Sequence, residues 1–172
     1  MIDETASGTG GETPMGEVAA PPPGPGSGDA PKAELGKRFV AAAIDAVIAV
    51  VVGFIPLVGG LAATAYWLVR DGMDLDFMDR RSIGKRLVKI RPIRIDGAPM
   101  DIATSMKRNW MFALGGISQL LAITIIGLVV AIPLALVAFV IGIVEIVLVL
   151  VDPDGRRLGD KLAVTRVVET DS

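Results

Sequence analysis

The sequence contains no cysteine and no histidine among its 172 residues. Without cysteine there is no disulfide framework and no thiolate chemistry, so nothing indicates the redox compartment. Without histidine, the commonest general base and metal ligand of proteins is missing. The remaining side chains show no nucleophile, base and orienting group in a catalytic pattern. We therefore expect no enzyme activity, no catalytic residues, no metal and no cofactor.

Lysine and arginine are absent from residues 1–30, which carry five acidic residues and are rich in glycine, proline and serine. This segment has no apolar periodicity and cannot bury enough surface to offset the entropy lost on ordering. We predict that residues 1–33 form a disordered cytoplasmic tail, with a partner-binding proline-rich segment as the alternative. The domain proper is expected over residues 34–168.

Charge is scarce in two long apolar blocks, residues 39–69 and 110–151, and the second block contains a single charged residue, Glu145. The mean hydropathy of +0.59 is too high for an ordinary soluble domain and indicates an integral membrane protein. A helical span takes about 20 residues. The second block therefore predicts two helices with a turn near residues 127–133. The first block predicts one full helix and a short helix 2 over residues 57–69, which is tilted, thin or re-entrant.

The predicted fold class is an all-α membrane protein with about four transmembrane helices and a small cytoplasmic β element. With four spans, every lysine and arginine falls on one face of the membrane, and the positive-inside rule makes that face cytoplasmic. A three-span arrangement would split these residues between the two faces, so we reject it. We expect a multi-pass protein of the cell membrane, surrounded by lipid, with both termini cytoplasmic.

Two segments outside the apolar blocks alternate apolar and polar residues and predict strands, "KRLVKIRPIRIDGAPM" and "LAVTRVVE". The first contains Asp96-Gly97, which is a typical hairpin turn signal. These segments predict the small cytoplasmic β element.

Two carboxylates interrupt the predicted spans, Asp45 in helix 1 and Glu145 in helix 4. Each lies on a helix face of small residues, and each is about 10 Å from the cytoplasmic end of its helix at 1.5 Å per residue. We hypothesise that the two helices pack along these faces with the acids in contact. The pair would share a proton, bind a cation, or be neutralised by Arg38. The alternative is that each acid only hydrogen-bonds a neighbouring helix and fixes its packing.

A basic run lies between the predicted helices 2 and 3. Beside a membrane such a run contacts anionic lipid head groups or simply sets topology, and we expect no nucleic-acid partner. The candidate head-group contacts are Arg80, Arg81, Lys85 and Arg86. "SIGKR" lacks the full phosphate-loop pattern. Four aspartates before the run lack the glycine and glutamate of a calcium loop and predict a solvated acidic loop: Asp71, Asp74, Asp76 and Asp79.

Four motifs occur in a fixed order: Arg38 with Asp45 seven residues later, "RRSIGKRLVKIRPIRIDGAPM", "SMKRNW" and "GRRLGDKLAVTRVV". In this order they resemble the RDD family of mostly bacterial membrane proteins, named for one arginine and two aspartates. The resemblance spans about residues 35–168 and implies that Arg38, Asp45 and Asp160 are the signature residues. The sequence departs from the family pattern at Arg81, in place of glycine, and at Gly159, where histidine is common. Glu145 is not part of that signature.

The resemblance implies a link to transport, in some members of the ion/proton antiporter kind. Asp45 would be the proton or cation site, with Arg38 and Asp160 as its charge partners and Glu145 as a second acid. Four short helices are few for a carrier, so transport of an ion or small solute would need a homo-oligomer. The alternative is a non-transporting membrane scaffold or accessory protein that binds a cytoplasmic protein partner.

Overall fold

The computed structural model describes residues 30–56 and 58–171, and the tail predicted over residues 1–29 lies outside this part of the chain. The described chain is mostly helical and has one small sheet. Its elements, in order, are α1 (Leu35–Gly53), α2 (Gly59–Val69), α3 (Ile83–Leu87), β1 (Ile90–Arg94), α4 (Ile102–Arg108), α5 (Met111–Leu121), α6 (Ile125–Val151), α7 (Leu158–Leu162) and β2 (Thr165–Glu169).

Helix α6 is 27 residues long and, among the described residues, is the one helix long and apolar enough to cross a membrane. Its side chains are largely exposed, as at Ile126 with 86% and Val129 with 72%. Helices α2 and α5 have 11 residues each, or about 17 Å at 1.5 Å per residue, which is short of the hydrocarbon thickness of about 30 Å. The prediction of a short second helix is confirmed, whereas four full spans are not.

The chain turns between α5 and α6 at residues 122–124, so the predicted turn over residues 127–133 is wrong. The Thr124 side chain caps α6 by accepting a hydrogen bond from the Gly127 N–H at 3.0 Å. Pro133 lies inside α6. A proline costs a helix one backbone hydrogen bond and does not have to end it in an apolar setting.

Strands β1 and β2 pair antiparallel, with Ile90 opposite Glu169 and Arg94 opposite Thr165. The predicted β element is therefore confirmed. Asp96-Gly97 does form a turn, but no hairpin follows it, because the partner of β1 lies at the far end of the sequence. Residues before α1 join the same sheet, since Lys32 bridges to Val168. Residues 30–33 thus belong to the folded domain and not to the predicted tail.

The helices pack around two very close approaches made by glycine. A β-carbon at Gly84 of α3 would overlap the Ala41 carbonyl oxygen of α1. A β-carbon at Gly159 of α7 would overlap the Arg108 carbonyl oxygen at the end of α4. Helix α1 packs on α2 and α3, and α6 packs on α5 and α7, whereas α1 and α6 do not pack extensively on each other. A cavity separates them.

Candidate functional site

Asp45 of α1 is buried, with 1% of the residue exposed, and three donors bind its carboxylate. Arg70 Nη1 lies 2.6 Å from Oδ2, and the Tyr66 hydroxyl and the Gly84 N–H donate to Oδ1 at 3.0 Å and 2.9 Å. The Arg70 guanidinium also lies 3.9 Å from the centroid of the Trp67 ring. The charge of Asp45 is therefore compensated by α2 and α3, and not by Glu145 or Arg38.

Local sequence explains how these three donors reach one carboxylate. Tyr66 and Arg70 are four residues apart, so both project from one side of the C-terminal end of α2. Ser82 caps α3 by accepting a hydrogen bond from the Lys85 N–H at 3.3 Å. Gly84, which has no side chain, lets the first turn of α3 rest on α1 and aim its N–H at Asp45. The "SIGKR" segment is thus a docking turn and not a phosphate loop.

Glu145 of α6 is also buried, but its partners come from the segment that follows α6. The Gly159 N–H donates to Oε1 at 3.0 Å, and Arg157 Nε lies 3.7 Å from Oε2. Asp45 and Glu145 face the same cavity and have separate partners. The predicted packing of their two helices along the small-residue faces is therefore wrong. The alternative, in which each acid is held by a neighbouring element, describes the observed contacts.

Asp160 of α7 is fully buried among arginines. Arg108 Nε lies 2.6 Å from Oδ1 and Arg38 Nη2 lies 3.4 Å from Oδ2, which also accepts a hydrogen bond from the Arg157 N–H at 3.1 Å. Burial raises the pKa of the Asp160 carboxyl, but Arg108 and Arg157 outweigh this and set it to about 2. Asp160 is therefore a carboxylate at neutral pH. Arg38 and Asp160 thus contact each other, as charge partners would.

The predicted solvated acidic loop is wrong for Asp71. Its carboxylate is fully buried, forms an ion pair with Lys85, lies 3.8 Å from Arg108 Nη1, and accepts a hydrogen bond from Asn109 Nδ2 at 3.5 Å. Burial raises the pKa of Asp71, but Lys85 and Arg108 outweigh this, so the pKa lies below its usual value. The other aspartates of the loop are exposed: Asp74, Asp76 and Asp79.

The four candidate head-group contacts divide into two pairs. Arg81 and Lys85 are buried, so they do not present their charges to a lipid surface. Lys85 instead holds Asp71. Arg80 is partly exposed and pairs with Asp74 at 2.6 Å, and Arg86 is exposed. The predicted contact with lipid head groups therefore stands only for Arg80 and Arg86.

Shared arginines connect the buried acids into one network. Arg108 bridges Asp71 and Asp160, and Arg157 bridges Asp160 and Glu145. Arg70, which holds Asp45, is the residue before Asp71. Sequence reasoning misses Arg70, Arg108 and Arg157 as partners because it counts them only as topology signals. Their position beside the ends of apolar blocks is the available clue.

The cavity between α1 and α6 has a volume of about 550 Å³. Its side walls are apolar and include Phe39 on α1 and Phe139 on α6. Its back wall is formed by charged side chains of the network: Arg38, Asp45, Arg70, Lys85, Arg108, Glu145 and Arg157.

A long exposed apolar helix that ends at a buried ion network defines a protein built for a membrane. A family model described as the RDD family matches residues 57–164. This match covers more than half of the chain, and the chain belongs to the RDD family, which is a membrane family. The match includes the "SIGKR" segment, Arg108 and Asp160, while Arg38 and Asp45 precede it. Comparisons with curated proteins and with solved structures gave no match.

Proposed function

We propose that this chain is a multi-pass protein of the cell membrane, with a cytoplasmic ion network, that moves a proton or a small ion across the bilayer. The observation that carries this proposal is Asp45, a buried carboxylate that lines a cavity beside the most apolar helix of the chain. Ionisable groups at membrane depth are costly and are typical of ion and proton pathways.

The ion pair between Asp45 and Arg70 gives this proposal a mechanism. A proton or cation that binds Asp45 competes with Arg70, whose guanidinium then needs another anion. The rest of the network contains anions that could take over this role, with Asp71 adjacent to Arg70 in sequence. Occupancy of Asp45 would thereby alter the packing of α1 on α2. The short α2 and α5 favour a homo-oligomer as the transporting unit.

The test is ion-driven proton flux in proteoliposomes that contain a pH-sensitive dye, under Na⁺ and K⁺ gradients. We expect flux with the unmodified chain and none with Asp45→Asn. The double variant Asp45→Asn/Arg70→Gln removes both charges of the pair and controls for destabilisation by an unpaired arginine. Asp154→Asn is the matched control, because Asp154 is exposed and pairs only with Arg156. Equal flux from all four proteins would contradict the proposal.

A second candidate is a non-transporting membrane scaffold, and one observation favours it. Each of the four buried acids has a cation within 4.0 Å, so the network is complete without any cargo. Such a network can serve only to hold helices and to present the β1–β2 sheet to a cytoplasmic partner. Folded protein that gives no flux under any gradient, with a cross-linked partner that depends on residues 80–100, would favour this candidate.

A further inference from the structure

The cavity between α1 and α6 is apolar at its mouth. Phe39 and Phe139, on opposite walls, are 76% and 65% exposed, and Ile146 and Leu150 are exposed beside them. The cavity is therefore open on its apolar side. Its volume of about 550 Å³ lies within the range of about 300–1,000 Å³ that is typical of ligand pockets. An occupant must be apolar where it meets these side walls.

The back wall has the opposite character, because its network contains more cations than acids. The four buried acids are Asp45, Asp71, Glu145 and Asp160. The five cations that pair with them are Arg38, Arg70, Lys85, Arg108 and Arg157. With Lys85 protonated, the network has a formal excess of one positive charge. One further anion would neutralise it.

Two arginines of the back wall have donors to spare. Among the described residues, Arg70 Nε and Arg108 Nη1 are buried and have no hydrogen-bond partner. The distance of 3.8 Å from Arg108 Nη1 to Asp71 is too long for a hydrogen bond. Buried donors without acceptors are costly, and guanidinium groups match the oxygens of a phosphate. The back wall therefore lacks an acceptor as well as a negative charge.

We propose that this cavity binds one anionic phospholipid. Its phosphate lies at the back wall near Arg70 and Arg108, and one acyl chain lies between Phe39 and Phe139. A free anion would satisfy the back wall but would leave the apolar side walls uncovered, so the charge and the shape together favour a lipid. This inference goes beyond transport, because such a site would exist in a carrier and in a scaffold alike.

The test is native mass spectrometry of the full chain extracted from vesicles of equal parts dioleoyl-phosphatidylglycerol and dioleoyl-phosphatidylcholine. These lipids share their acyl chains and differ in net charge. We expect one phosphatidylglycerol per chain, retained about tenfold over phosphatidylcholine, which corresponds to about 1.4 kcal/mol. Retention of both lipids in equal amounts, or of neither, would overturn the proposal.

Cavity-filling variants locate the bound lipid. Gly142 of α6 lines the cavity, and a β-carbon added there would meet only Met111 Cε, at 4.0 Å, so Gly142→Phe would fill the space without displacing backbone. Ala42→Phe would fill it from the α1 wall. Gly115→Phe is the matched control, because Gly115 faces open space and does not line the cavity. We expect the first two variants to lose the lipid and the third to keep it.

Three results of this comparison would overturn the proposal. Lipid retention unchanged by both filling variants would mean that the lipid lies elsewhere. A dimer that both filling variants dissociate would mean that a second copy of the chain occupies the cavity. Stabilisation by inorganic phosphate equal to that by phosphatidylglycerol would mean that a free anion suffices. Circular dichroism checks folding, and the two variants on opposite walls serve as independent tests. The binding readout does not involve flux, so failure of transport leaves this result unaffected.

Discussion

The sharpest prediction concerns Gly84, where α3 rests on α1. In a Gly84→Ala variant the new β-carbon would overlap the Ala41 carbonyl oxygen and lie 3.0 Å from the Asp45 carboxyl carbon. Both neighbours are fixed within α1, so α3 must move away. The hydrogen bond of 2.9 Å from the Gly84 N–H to Asp45 is then lost.

The size of the effect follows from two terms. Forcing a methyl group into a well-packed contact costs about 1–3 kcal/mol. Losing a hydrogen bond to a charged acceptor costs about 1.5–3 kcal/mol. We therefore expect Gly84→Ala to lower the free energy of unfolding by about 3–6 kcal/mol. Gly115→Ala is the matched control, since nothing lies within 4 Å of its β-carbon position and alanine is the better helix former. We expect it to change stability by no more than about 1 kcal/mol, in the favourable direction.

The assay is reversible unfolding in mixed micelles, followed by helical circular dichroism, for the unmodified chain and both variants. Intrinsic fluorescence of Trp67, which stacks on Phe112 and lies under Arg70, reports separately on the surroundings of Asp45. A Gly84→Ala variant that differs from the unmodified chain by less than about 1 kcal/mol would refute the reasoning. It would mean that the contact between α3 and α1 is loose and that Asp45 does not need its third donor.

Two further predictions concern the ion network. Arg108→Gln removes the cation that Asp71 and Asp160 share, and we expect a loss of about 3–5 kcal/mol; Lys161→Gln, which removes an exposed pair, should cost less than about 1 kcal/mol by the same unfolding measurement. The folded-state pKa of Asp160, about 2, lies below the value of about 3.9 for an unfolded aspartate. Its contribution to stability is therefore fully present above about pH 4 and is lost as pH falls through about 2. Unfolding measured between about pH 2 and pH 6 should show this fall, and an Asp160→Asn variant, less stable at about pH 6, should show a shallower one; equal slopes would contradict the assignment.

The features visible in the sequence are those set by local pattern. The short α2, the long apolar α6 and the two strands follow from hydropathy and alternation. The turn before α6 is misplaced because Gly127 and Pro133 are strong breakers in water. The capping threonine, Thr124, gives a weaker signal than either, and in an apolar setting it is the cap that decides where the helix begins.

The partners of the buried acids could not be read from the sequence, because they depend on tertiary packing. Arg70 lies 25 residues from Asp45, and Arg157 reaches Glu145 only because the chain folds back after α6. The two small-residue faces correctly indicate sides that avoid large neighbours. They do not reveal that a cavity, and not a partner helix, lies between them. Asp71 is hidden in a run of aspartates whose other members are exposed.

The pairing of β1 with β2 has a consequence for synthesis of the chain. Strand β2 and Asp160 are made last, yet they hold Lys32, Arg38 and Arg108, which are made much earlier. Such long-range contacts form only once the intervening chain is present. While α6 is being inserted, these early cations have no carboxylate from α7 to bind. The closing segment therefore acts as a latch, and a ribosome that stops before residue 160 would release helices without the part that fastens them together.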